Sequence, residues 1–168
     1  MSPADRPRVF VLVDDRRREL WDAVRPHLAP QFTLVLPERT PGGPGAAALP
    51  AEAVDALADG SAGAVLATGD AAVPAYRAVA GARYPPRLVL LDPGSPTVWP
   101  ESGARVALSV VGRTDGTPRG ATALLAWRHH GTAEFGAHTL PPTIGPRTGA
   151  LCRDHILAGL RLWWLDGA

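Results

Sequence analysis

The chain has 168 residues, 46% of them hydrophobic, enough for one compact domain (1–168) that buries about two-thirds of its unfolded surface. The formal charge is +1, and apart from Arg16, Arg17 and Arg18 the basic residues stand singly, so no electrostatic footprint for nucleic acid is present. Cys152 is the only cysteine, which excludes an intrachain disulfide, argues against a thiolate metal site and suits a reducing compartment. "MSPADRPR" lacks the apolar core of a leader, and no apolar run approaches the roughly 18 residues of a membrane span; a soluble, cytoplasmic protein that makes no membrane contact is expected.

"RVFVLV" (8–13) is a continuous apolar run rich in β-branched residues, the signature of a parallel strand covered on both faces, and it ends at Asp14 and Asp15. From Arg16 to His27, Leu20, Trp21 and Val24 fall at helical spacing, in register with Leu28. A strand is expected over 32–37, then a loop through "ERTPGGPGAAALP", a helix over 51–59 and a strand over 64–67. "TGD" makes a sharp turn into a helix from Val73 to Gly81. Strands follow over 87–92 and 104–112, with a helix over 119–131, a short edge strand over 133–140 and a closing helix over 150–165. Strands alternating with helices specify an α/β, three-layer, open and mostly parallel sheet of about six strands with helices on both faces.

In such sheets the working crevice lies beyond the carboxyl ends of the strands. The residues at those ends are Asp14 and Asp15, Gly69 and Asp70, Asp92, and Asp115. Carboxylates crowded into a partly dry site cannot all ionise cheaply, so at least one would act as a general acid near neutral pH. Acid–base cyclisation, elimination or hydrolysis of a small substrate is within reach of such a set. No carboxylate spacing matches a Mg²⁺ or Ca²⁺ loop, and no cofactor or metal is expected.

The order of these motifs resembles the α/β-hydrolases, thioesterases in particular. "VFVLVDDRRRELWDAVRPHLAPQFTLVLPE" is similar to that family's strand, oxyanion turn, helix and next strand; "GAVLATGDAAVPAYRAVAGARYPPRLVLLDP" to its nucleophile elbow and the following strand; "ARVALSVVGRTDGTP" to the strand and loop that deliver the triad acid. The resemblance implies a shortened, lidless member with a degenerate triad. Asp14 and Asp15 stand where a glycine-bearing oxyanion turn would be. The elbow, which needs small residues two before and two after the nucleophile, fits two registers. One puts Gly69 at the tip between Ala67 and Ala71, leaving no nucleophile; the other puts Asp70 there, as in haloalkane dehalogenases. Gly69 tolerates the strained tip better. Asp92 and Asp115 match the family's two alternative acid positions, but "LPPTIGPRTG" carries no histidine where the base belongs; His138 precedes it on a strand and His155 lies on the closing helix.

The catalytic candidates are therefore Asp70, Asp92, Asp14, Asp115 and His138, acting on a small acyl or polyketide-type molecule. Against them stand structural readings: Asp15 and Asp70 as helix caps, Asp92 and Asp115 as turn residues, His138 as a packed strand residue, His129 and His130 as solvent-exposed helix-end residues, Cys152 as core. Adjacent Trp163 and Trp164 would leave one indole for a homodimer or partner interface. Two functions remain open: a carboxylate enzyme on a thioesterase-like scaffold, and a pseudo-hydrolase that binds an acyl product, a carrier domain or a partner subunit. A receiver domain, suggested by "LVDD", is opposed by the absence of any lysine.

Overall fold

The computed structural model describes residues 6–36, 49–96, 98–101, 103–114 and 118–165. Strands β1 (Arg8–Leu12), β2 (Thr33–Val35), β3 (Ala64–Thr68), β4 (Arg87–Leu91), β5 (Ala107–Arg113) and β6 (Glu134–Leu140) form one sheet in the order β2-β1-β3-β4-β5-β6. Every pairing is parallel. The apolar runs explain why: β3 and β4 are buried at every position, because a central parallel strand meets helices on both faces.

Alternate residues of each strand feed two cores. Phe10, Leu12, Val65, Ala67, Leu88, Leu90, Leu108 and Val110 pack with helices α2 (Ala51–Asp59) and α3 (Ala72–Gly81) and with Trp127. Val9, Val11, Leu66, Val89, Leu91 and Val111 pack with α1 (Arg18–Leu28) and α5 (Thr148–Leu165). On α1, Leu20, Trp21, Val24 and Leu28 supply the stripe that the spacing predicts.

The strand expected over 32–37 is described over Thr33–Val35 only, α1 starts at Arg18 after a 3-10 turn, and two further departures have a visible form. β5 starts at Ala107 instead of 104, because a tight Val106 N–H to Ala104 carbonyl bond holds the preceding residues in a turn. The helix expected over 119–131 is α4 (Pro118–Leu125) followed by a 3-10 turn, Ala126–His130. No helix among the described residues is long and apolar enough to cross a membrane.

The strand order fixes where chemistry can sit. The chain leaves β1 outward to β2, then crosses back to β3 and proceeds the other way, so the switch in direction falls between the carboxyl ends of β1 and β3. Asp14 and Asp15 follow one of these ends, and Gly69 and Asp70 the other.

Packing of α5 on α1 supplies a direct test of this architecture. A Cβ at Gly149 would run into the Ala23 carbonyl oxygen and lie 3.0 Å from His27 Cδ2, whereas one at Gly145 meets nothing within 4 Å. Gly149→Ala should cost about 1–3 kcal/mol, lowering Tm by roughly 2–4 °C per kcal/mol, while Gly145→Ala leaves Tm unchanged. Thermal denaturation followed by circular dichroism measures both.

Candidate functional site

Asp14 organises the switch point. Its N–H donates to Thr68 Oγ1 at 2.8 Å, which ties the end of β1 to the end of β3 through a fully buried threonine. Its carbonyl oxygen accepts from the Arg17 N–H at 2.9 Å, closing the 3-10 turn Asp15–Arg17 that leads into α1. The carboxylate answers two further backbone donors: Oδ1 accepts from the Arg16 N–H at 3.0 Å and Oδ2 from the Asp70 N–H at 3.0 Å.

The elbow register is now defined. Gly69 has φ +52, the left-handed region that a glycine enters without steric cost, and the next residue's N–H points at Asp14. Gly69 is the tip. A Cβ there would collide with Asp14 Oδ2 and stand 2.8 Å from Arg17 Cγ. Glycine and carboxylate thus require each other: any larger tip residue displaces Asp14, and Asp14 in place leaves room only for glycine.

In the serine hydrolases the oxyanion hole is made by the N–H after the nucleophile and an N–H from the turn after the first of these strands. In this chain the N–H after Gly69 and the Arg16 N–H are both taken by the Asp14 carboxylate.

Asp92 is locked in another way. It ends β4 at φ +50, the one described non-glycine residue with positive φ, and is 8% exposed. Its Oδ1 accepts from the Arg113 N–H at 3.0 Å, and its Oδ2 from Arg113 Nη2 at 2.6 Å and Nε at 3.1 Å. Arg17 Nε forms an ion pair with the same oxygen at 3.0 Å. Asp70 is different, with an exposed carboxylate that meets exposed Arg16 at 3.4 Å, and Asp15 pairs with Arg18 at 3.0 Å. The carboxylates of Asp14, Asp15, Asp70 and Asp92 thus each face N–H donors or guanidinium groups. Asp115 lies outside the described residues.

His138 is not brought to this edge. It lies on β6, three places from β3 and roughly 14 Å across the sheet, and stacks on His155 of α5 at 4.6 Å. Burial, and secondarily His155, holds its pKa below the ordinary value. His130 corrects the expectation of solvent exposure: it is 6% exposed, stacked on Trp99 at 5.3 Å and edge-on to Tyr76 and Trp127. Trp99 comes from the loop after β4, and this contact pins it to the α4 layer. His129 is exposed, as expected. Cys152 is core, its thiol pushed up to about 12 by burial and by Asp92, and so inert. The side chains of Trp163 and Trp164 lie outside the description. An open groove of about 570 Å³ sits elsewhere, between α4 and β6, lined by Leu125, Arg128, Phe135 and Ala137 among others. Among the described residues no three His, Cys, Asp or Glu side chains converge as metal ligands.

Two measurements follow. Asp92→Ala would leave Arg113 and Arg17 facing each other without their carboxylate, and should cost roughly 2–4 kcal/mol in urea denaturation. The histidines set a pH dependence: burial lowers the folded pKa of His130 and His138, so the unfolded chain binds more protons below about pH 6.5. Stability is complete above that pH and falls as pH drops towards the folded values; Tm should decline from about pH 7 to about pH 5, and less so in His138→Phe.

No protein-family model and no curated protein matches the sequence. Solved structures do. RedJ, with a polyethylene glycol molecule in its active site, matches with a TM-score of 0.61 at 16% identity over 94% of each chain. A carboxylesterase from Mesorhizobium loti matches with a TM-score of 0.58 at 18% identity, over 100% of this chain and 90% of that one. The Vlm2 thioesterase domain matches with a TM-score of 0.52 at 14% identity, over 93% and 91%. With its all-parallel six-stranded sheet, its turn at Gly69 after β3 and these neighbours, the chain has the α/β-hydrolase fold.

Proposed function

We propose that this protein is a pseudo-hydrolase: a thioesterase-like α/β-hydrolase fold that binds a small acyl or polyketide-type molecule, or the carrier or partner subunit presenting it, without hydrolysing it. The observation that carries this reading is the Asp14 carboxylate on the Asp70 and Arg16 N–H groups, with Gly69 at the tip. A serine hydrolase needs a nucleophile, a base in reach and a free oxyanion hole. Gly69 carries no nucleophile, His138 is across the sheet, and the two N–H donors are already bonded to an anion. An incoming tetrahedral oxyanion would be repelled by Asp14 rather than stabilised. The acyl-type ligand is supported by the structural neighbours, which include a protein with polyethylene glycol in its active site and a thioesterase domain bound with a dodecadepsipeptide.

One observation favours the other reading, acid–base tailoring of such a molecule by cyclisation or elimination. The Asp70 carboxylate is exposed at the rim and held only by an exposed arginine, so a substrate could reach it.

Both readings meet in one assay. Purified protein incubated with p-nitrophenyl butyrate and with the octanoyl thioester of N-acetylcysteamine should release product no faster than buffer. Gly69→Ser should not create activity, because its side chain collides with Asp14 and no base follows. Turnover by the wild-type chain that disappears in Asp70→Asn or Asp14→Asn would replace the pseudo-hydrolase reading with the enzymatic one. Binding is read separately: the octanoyl probe should raise Tm in a concentration-dependent way.

A further inference from the structure

The sheet has two edges that differ in kind. β2 is three residues long, too short to template another strand. β6 runs for seven residues, "EFGAHTL", with no proline, lysine or arginine and with Ala137 and Thr139 exposed. Long, flat edges are normally guarded by such residues, because their free N–H and C=O groups recruit another strand. From the pattern of β6 and the groove beside it, we infer that β6 is the interface of a two-fold homodimer, pairing antiparallel with β6 of a second copy about an axis at Ala137.

The strand is complementary to itself in that register. Reading outward from Ala137 opposite Ala137, His138 falls opposite Gly136, Thr139 opposite Phe135 and Leu140 opposite Glu134. Phe135, Ala137 and Thr139 share the α4 face, and Gly136, His138 and Leu140 the α5 face. Directly opposed side chains are the unit of sheet stabilisation, and aromatic with β-branched is a favourable pair. Phe135 with Thr139 is such a pair, occurring twice by symmetry. Each imidazole, already stacked on His155, lies over a glycine and has room. No like charges face one another: Glu134 is engaged by Arg87 at 2.7 Å within its own chain. Centring the axis on His138 would instead oppose two imidazoles.

The surroundings extend the contact beyond the backbone. A two-fold axis normal to the sheet brings α4 towards its symmetry mate on one face and α5 on the other. On the α4 side, the groove of about 570 Å³ runs beside β6, and Leu125 at its wall is 53% exposed. The partner's Phe135 and Thr139 would cover it. A seven-residue strand about 23 Å long, flanked by a helix layer on each side, presents roughly 600 Å² per copy and about 1,200 Å² in total. That reaches the lower end of specific, stable interfaces. A second copy is therefore a sufficient occupant, and a symmetric edge pairing closes at two chains where a face-to-tail contact would continue.

Sedimentation velocity over about a hundredfold range of concentration should show mass rising from one chain to two and no further. Ala137→Arg places like charges at the axis on an exposed position, so it should weaken dimerisation at least about tenfold while leaving the monomer's circular dichroism and Tm unchanged. Mixing Ala137→Arg with Ala137→Glu should restore a mixed dimer. Should Ala137→Arg not fold, Thr139→Arg, also exposed and opposed to Phe135, gives the same reading. A chain monomeric at every concentration would overturn the inference, as would a dimer indifferent to these substitutions. A failed ligand-binding assay leaves this result untouched, since no part of the pairing depends on what the chain binds.

Discussion

Two backbone N–H groups converge at the point where the sheet reverses its direction of growth, and a single carboxylate answers both. Much of the site's form follows from that contact. With Asp14 bonded to the Arg16 and Asp70 N–H groups, the tip must be glycine, Thr68 must be buried to hold the Asp14 N–H, and the turn into α1 must start where it does. Oδ1 caps the turn into α1 while Oδ2 ties that turn to the residue after Gly69, so one side chain joins the ends of β1 and β3.

Arginine resolves the accumulation of negative charge at this edge. Arg17 has a dual position: its Cγ packs where a Cβ at Gly69 would go, and its Nε reaches Asp92 at 3.0 Å, joining the ends of β1, β3 and β4. Arg113 closes the other side of Asp92 through its backbone and its guanidinium together. A buried ion pair is often no more stabilising than an apolar replacement, yet removing one partner leaves an uncompensated charge. The strand-end aspartates are therefore coupled to their arginines, and the set defines one arrangement of loops.

These features differ in how far the sequence reveals them. Strands and helices were legible because burial on both faces writes a continuous apolar run and burial on one face writes a helical period; β1, β3, β4 and α1 follow those patterns closely. The positions of Asp14, Asp70 and Asp92 were legible for the same reason, as the residues that end the runs. Their partners were not. Asp14 meets a residue 56 positions away and Asp92 one 21 away, and nothing local in "VVGRTDG" or "DDRRR" says that Arg113 and Arg17 share a carboxylate. The one available signal was the Arg16–Arg18 run itself, the only basic cluster in a chain otherwise dotted with single arginines. His130 misled for a related reason: beside His129 at the end of a helix it reads as solvent-exposed, and Tyr76 and Trp99, 54 and 31 residues earlier, help to enclose it.

With the Asp14 carboxylate taken up by backbone N–H groups, the open polar side chains near the switch point lie at its rim. At the rim, the exposed Asp70 and Arg16 face each other, and exposed Asp15 pairs with Arg18. Trp99 has drawn the loop after β4 down onto Trp127 and His130, so that loop supplies packing for the α4 layer. Exposed apolar side chains are spread over the surface, Val54, Tyr84 and Val98 among them, and Leu125 stands beside β6, at the wall of the groove. The bonding of the strand-end carboxylates within their own chain and the length of the strand at the far edge of the sheet are separate consequences of the sequence. If the elbow proves silent and β6 proves to pair as inferred, recognition in this fold belongs to its last strand rather than to the carboxyl ends of its strands.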